Sequence, residues 1–237
     1  MRCSRLLFLL GGSDDGILDV VAEEFVPAAG GSDAAIALLM IGGEGWESYV
    51  QRYVEPWKTR GVTRWYVVVP GEDGCLDLPT IKAQLFAASG IFIAGGHTPT
   101  YHRLYGTEPV RSLIRERYRE GIPVAGLSAG ALISPEVCLF RPSPKNPDQP
   151  FRIVEGLGLA SNLVVEVHFT EGPGTLSTLL EGMAQTRTSR GLGIGPAACA
   201  VLENDRLVRV LGQGVYEVVM TDFETRRHTI TEVYAEP

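Results

Sequence analysis

Gly121-Ile122-Pro123-Val124-Ala125-Gly126-Leu127-Ser128-Ala129-Gly130-Ala131 decides how this chain folds. The apolar run Ile122–Ala125 ends in a glycine-flanked turn around one serine and reopens as a helix-forming segment. This is the sequence form of a nucleophile elbow, a tight and strained strand-to-helix turn that projects the Ser128 hydroxyl clear of the backbone. The flanking residues must be tiny for the chain to pass. The Ala129 N–H opens a helix and can donate to a developing oxyanion. The structural alternative is a Gly/Ala-rich turn that binds a phosphate, or nothing.

Outward from the elbow, composition sets bounds. The chain has 237 residues, 28 acidic and 21 basic, for a net charge of −7. That length buries one substantial core, and a single domain over residues 1–237 is expected. The acidic balance and the absence of a Lys/Arg-rich face argue against a nucleic-acid partner. Arg111–Arg119 reads as the solvated face of a helix. Cys3, Cys75, Cys138 and Cys199 show neither a metal spacing nor a redox pair, so free thiols in a reducing, cytoplasmic compartment are expected. Leu6–Leu10 follows two arginines and faintly imitates a signal peptide. It is short and leads into Gly11-Gly12-Ser13-Asp14-Asp15-Gly16 without a persuasive cleavage site, so it reads as a first buried strand. No segment is long enough to span a membrane.

Apolar runs at Leu6–Leu10, Ala35–Ile41, Arg64–Val69, Gly90–Ala94 and Ile122–Ala125 are continuous rather than alternating, as parallel strands covered on both faces require. Helical patterns separate them, at Ile17–Pro27, Trp46–Trp57, Leu78–Ala88 and Glu108–Arg119. The aromatic stripe of Trp46–Trp57 reads as a face packed on the sheet. This alternation predicts a doubly wound, mostly parallel α/β sheet with helices on both faces. Ser134–Pro150, rich in proline, reads as a surface excursion, either a lid or an inert loop. Beyond it come a strand at Leu163–His168 and a helix around Thr175–Arg187. Runs at Ala198–Glu203, Arg206–Leu211, Val215–Val219 and Thr229–Tyr234 alternate, predicting antiparallel, half-exposed strands at the C-terminal end.

A nucleophilic serine needs a base within hydrogen-bond reach and a group that orients the base. Sites in open α/β sheets form at the carboxyl ends of strands. His97 follows one such strand and His168 ends another, so both are candidates. His102 lies in a helical stretch and reads as packing or surface. His228 opens an edge strand. Gly95-Gly96, at the end of a strand, lets backbone approach a bound group closely. Gly96 and Ala129 together offer two peptide donors to one carbonyl, and such donors are typically worth about 3–4 kcal/mol each in a transition state.

Gly95-Gly96-His97-Thr98, a following helix, the Ser128 elbow and then His168-Phe169 resemble the aspartyl dipeptidase (peptidase E) and cyanophycinase family of serine peptidases. The resemblance is strongest over about residues 90–135. It implies a fold akin to class I glutamine amidotransferases, with Ser128 as nucleophile, His168 as base, and Gly96 and Ala129 as the oxyanion hole. It also places Gly95, His97 and Thr98 on the substrate side. Two departures stand out. The stretch Thr170–Leu179 has no arginine where cyanophycinase-like members carry several. The run Gly191-Leu192-Gly193-Ile194 continues into Gly195-Pro196 where relatives place the catalytic acid. Glu166, two residues before His168, is the best remaining carboxylate for that role.

The expected function is a serine hydrolase acting on a small peptide or amide, with no metal or organic cofactor implied. A homodimer is compatible with the pattern, and neither nucleic acid nor membrane is expected as a partner. Two rivals stand beside it. One is an α/β-hydrolase esterase using Ser128, Asp205 or Asp222, and His228. The other is a non-catalytic binding protein on the same scaffold.

Overall fold

The computed structural model describes residues 4–14, 16–142, 148, 150–170 and 173–234. The first half runs β1 (Leu6–Leu10), α1 (Ile17–Ala28), β2 (Ala35–Leu39), α2 (Trp46–Lys58), β3 (Arg64–Val68), α3 (Leu78–Ala87), β4 (Gly90–Ile93), α4 (Thr98–Tyr105), α5 (Val110–Arg119), β5 (Val124–Leu127) and α6 (Ala129–Ile133). There follow β6 (Val137–Phe140), β7 (Arg152–Glu155), β8 (Val164–Val167), α7 (Pro173–Thr186) and β9 (Arg190–Ile194). The chain closes with β10 (Ala198–Glu203), β11 (Arg206–Gly212), β12 (Val215–Asp222) and β13 (Arg227–Val233).

Seven strands form the main sheet in the order β11-β10-β1-β5-β4-β2-β3. Strands β1 to β5 are mutually parallel; β10 adds antiparallel to β1, and β11 adds antiparallel to β10. Every residue of β2, β4 and β5 is buried, because helices cover both faces. A second sheet, β13-β12-β9-β8, pairs β8 and β9 in parallel and the rest antiparallel. This is the expected mixed α/β fold with an antiparallel C-terminal end.

The aromatic stripe of α2 is narrower than its spacing suggests. Tyr53 and Trp57 are buried against Phe92, whereas Tyr49 is exposed. The strand expected over Ile122–Ala125 is displaced two residues along the chain. The Ile122 N–H donates to the Arg117 carbonyl at 3.1 Å, so Ile122 still belongs to the exit of α5, and pairing begins only at Val124.

The excursion expected over Ser134–Pro150 is corrected in its first half. Ser134, Pro135, Cys138 and Leu139 are buried, and β6 pairs with β7 as an antiparallel hairpin. Val137-Cys138-Leu139-Phe140 carries the strand despite the prolines on either side of it. A lid over Pro142–Pro150 falls largely on residues 143–147 and 149, outside the described residues.

Candidate active site

Strands β1, β5 and β4 are neighbours, and their carboxyl ends deliver Gly11, Ser128 and Gly95-Gly96 to one place. Ser128 sits at φ 50°, ψ −106°, between the last residue of β5 and the first of α6. Holding a non-glycine residue there costs about 1–3 kcal/mol, supplied by the surrounding packing. Its N–H donates to the Leu10 carbonyl (2.9 Å), and its carbonyl accepts from Leu132 (3.0 Å). The flanking glycines are forced by space. A Cβ on Gly126 would lie 2.5 Å from the Gly130 oxygen, and one on Gly130 would lie 2.2 Å from the Ile93 oxygen.

His168 follows β8 directly and also has positive φ, 50°. Its Nε2 lies 2.9 Å from Ser128 Oγ. Its N–H donates to the Gly11 carbonyl (3.2 Å), and the next amide, Phe169, donates to Ile194 (3.0 Å). Burial, reinforced by the positive charge of Arg141, holds the imidazole below its ordinary pKa, while the charge of Asp14 works in the other direction. The neutral, proton-accepting form is therefore favoured.

Glu166 does not reach the imidazole. It is fully buried and forms an ion pair with Arg141, Nε to Oε1 at 2.7 Å. Among the described residues no carboxylate oxygen lies within 4 Å of a His168 ring nitrogen. Burial pushes the Glu166 carboxyl up to about 7, against the opposing pull of Arg141 and the Val167 backbone.

The Gly95-Gly96 turn abuts the serine: a Cβ on Gly95 would stand 3.3 Å from Ser128 Cβ. Gly96 has φ 155°. The buried Tyr101 hydroxyl donates to the Gly95 carbonyl at 3.2 Å and ties the turn to α4. Ala129 occupies the first position of α6, where no carbonyl one turn back is available to its N–H. His97 precedes α4 and is exposed, its Nδ1 2.9 Å from Thr100 Oγ1; Thr98 begins the helix.

The other histidines lie elsewhere. His102 Nε2 is 2.7 Å from the Glu155 carbonyl, and its ring packs on Phe140. His228 is on β13, with Nδ1 2.8 Å from the Arg226 carbonyl, while Asp222 accepts from the backbone of Glu224 and Thr225. Asp205 pairs with Arg5. No group of three described His, Cys, Asp or Glu residues is arranged to hold a metal ion.

Sequence reasoning had no means of finding Arg141, whose contact with Glu166 joins β6 to β8, nor Asp14 as a charge felt by His168. The turn after β1 carried a visible signal in Gly11-Gly12. A Cβ on Gly11 would lie 2.2 Å from the carbonyl oxygens of Ile194 and Gly195, so only glycine lets the two sheets meet there.

The sequence model of Peptidase family S51 matches residues 7–210. Cyanophycinase from Nostoc sp. (strain PCC 7120 / SAG 25.82 / UTEX 2576) is 28% identical over 225 residues, covering 90% of this chain and 72% of that protein. Cyanophycinase from Synechococcus elongatus is 26% identical over 220 residues, covering 90% and 67%. Two solved structures share the fold. A peptidase from an acI-B1 Actinobacterium superposes with a TM-score of 0.70 at 18% identity over 98% of both chains. A putative peptidase E protein from Listeria monocytogenes EGD-e gives 0.61 at 16% identity, over 90% of this chain and 100% of that one. The chain belongs to Peptidase family S51 and is a peptidase.

Proposed function

We propose that this member of Peptidase family S51 is a serine peptidase that cleaves a small peptide or amide through an acyl-enzyme on Ser128. The observation that carries the reading is the 2.9 Å contact between Ser128 Oγ and His168 Nε2 at the ends of β5 and β8. With the imidazole proton on Nδ1, the serine hydroxyl donates to Nε2. As Oγ attacks the substrate carbonyl, that proton moves to Nε2 and the C–O bond forms. The tetrahedral oxyanion is held by the N–H groups of Gly96 and Ala129. His168 then gives the proton to the leaving amine as the C–N bond breaks. Water, deprotonated by the same nitrogen, releases the acyl group.

In this reading Gly95, His97 and Thr98 line the substrate side. Thr175 Oγ1 donates to the Thr170 carbonyl (2.7 Å) and accepts from the Thr170 amide (3.1 Å). Arg141 is already engaged by Glu166. With no arginine in residues 170–179 and Arg141 engaged, neither segment offers an arginine clamp to a long arginine-bearing β-aspartyl polymer, a loss of about 1.5–3 kcal/mol for each charge-assisted bond. The test is hydrolysis of a panel of short peptides and of cyanophycin, with products identified by mass spectrometry and Ser128→Ala as control. Ser128-dependent cleavage of short peptides, with cyanophycin cut poorly or not at all, is expected. Efficient Ser128-dependent cleavage of cyanophycin overturns the substrate assignment. Turnover that survives Ser128→Ala overturns the mechanism.

A further inference from the structure

One charged pair beside the Ser128–His168 contact takes no part in the chemistry above. Glu166 projects from β8 beside the second, smaller apolar core of Leu139, Val164, Phe169, Leu179, Met183 and their neighbours. Arg141, at the exit of β6, reaches it with Nε and places Nη2 3.3 Å from the Val167 carbonyl. A buried charge is costly unless it is paired, and the partly exposed Arg141 pairs the buried Glu166.

The geometry it fixes is a single peptide plane. The Val167 carbonyl and the His168 N–H belong to one rigid peptide group. Arg141 holds the carbonyl end at 3.3 Å, and the Gly11 oxygen takes the N–H end at 3.2 Å. Immediately beyond that plane the chain turns through φ 50° at His168, a conformation a non-glycine residue leaves unless its neighbours hold it. We propose that Arg141 is a positioning residue for His168: its guanidinium spans the Glu166 carboxylate and the Val167 carbonyl, and so holds the β8 exit in the bend that delivers the imidazole to Ser128. The assignment rests on the reading of His168 as the base. Glu166, which falls short of the imidazole, acts as the buried anchor for the guanidinium. The charged groups that bear on the imidazole are Arg141 and Asp14, with opposite signs.

The test compares wild type with Arg141→Lys, Arg141→Met and the double variant Arg141→Met/Glu166→Gln. The double variant removes the stranded carboxylate that Arg141→Met leaves behind. Active-site-titrated kcat and KM are measured separately, and the His168 imidazole is titrated by NMR. We expect kcat to fall by ~10- to 100-fold in all three with KM nearly unchanged, since a displacement of 1 Å costs about a hundredfold. The His168 midpoint rises in both Met variants, which lose the positive charge, and stays near wild type in Arg141→Lys, which keeps charge but loses the two-point span. A merely structural role lowers the melting temperature and leaves titrated kcat unmoved, and that result overturns the proposal. Wild-type kcat in the Lys or the folded double variant overturns it as well. Should wild type neither hydrolyse peptides nor acylate at Ser128, the serine-peptidase reading fails, while the His168 midpoints still decide whether Arg141 bears on that ring.

Discussion

The His168 N–H donates to the Gly11 carbonyl at 3.2 Å, one residue beyond the Leu10 carbonyl that takes the Ser128 N–H at 2.9 Å. Ser128 and His168 thus hang on consecutive carbonyls at the exit of β1, although they follow strands of different sheets.

Gly11→Ala should therefore be damaging in two ways. Its Cβ would meet the Ile194 and Gly195 oxygens at 2.2 Å, so the two sheets must part. Overpacking of this kind costs about 1–3 kcal/mol, and a base displaced by 1 Å costs on the order of a hundredfold in rate. The checks are thermal melting and kcat of the folded variant. A variant with wild-type kcat would show that the Gly11 tether does not set the dyad.

The pH profile follows from the surroundings of His168. Burial, then Arg141, lowers its pKa, so the neutral base persists to lower pH than an exposed imidazole would allow. The acid limb of kcat/KM, which reports the free enzyme, should lie below the ordinary value of about 6.5. A limb above that value would mean that the charge of Asp14 outweighs burial.

Glu166 gives a stability signature of its own. Burial pushes its carboxyl up to about 7, above its ordinary value, so between those values the native state binds more protons than the unfolded chain. Stability from this group is therefore present at low pH and declines as pH rises from about 4.5 through about 7, by on the order of 3 kcal/mol. His168 contributes the opposite slope, so the quantity to measure is the difference between wild type and Glu166→Gln in urea unfolding at pH 5 and pH 8. Wild type should lose ground against the variant as pH rises. Parallel behaviour of the two proteins would place the Glu166 pKa at its ordinary value.

Much of this architecture was legible because its signals are local. Continuous apolar runs such as Leu6–Leu10 and Gly90–Ala94 read as strands covered on both faces and form them, and Gly126 and Gly130 mark the elbow because nothing larger fits around it. Gly95-Gly96 announced a close approach, and the structure sets it against Ser128. What stayed hidden depends on chain segments far apart in sequence. Glu166 was expected to orient His168 from its place two residues away, but its partner Arg141 lies 25 positions upstream, just past the end of β6, and sequence spacing carries no sign of it. The β6–β7 hairpin was masked for a related reason. Prolines around it suggested a loop, while burial of Cys138 and Leu139 under a second core made a strand.

The central claim, that Ser128 is a nucleophile activated by His168, is tested most directly by intact and peptide mass spectrometry after exposure to a fluorophosphonate. Wild type should gain one phosphonyl group, located on Ser128. Ser128→Ala should gain none, and His168→Ala should label slower by several powers of ten while remaining folded. A folded wild type that stays unlabelled, or an adduct that persists on Ser128→Ala, would contradict the account.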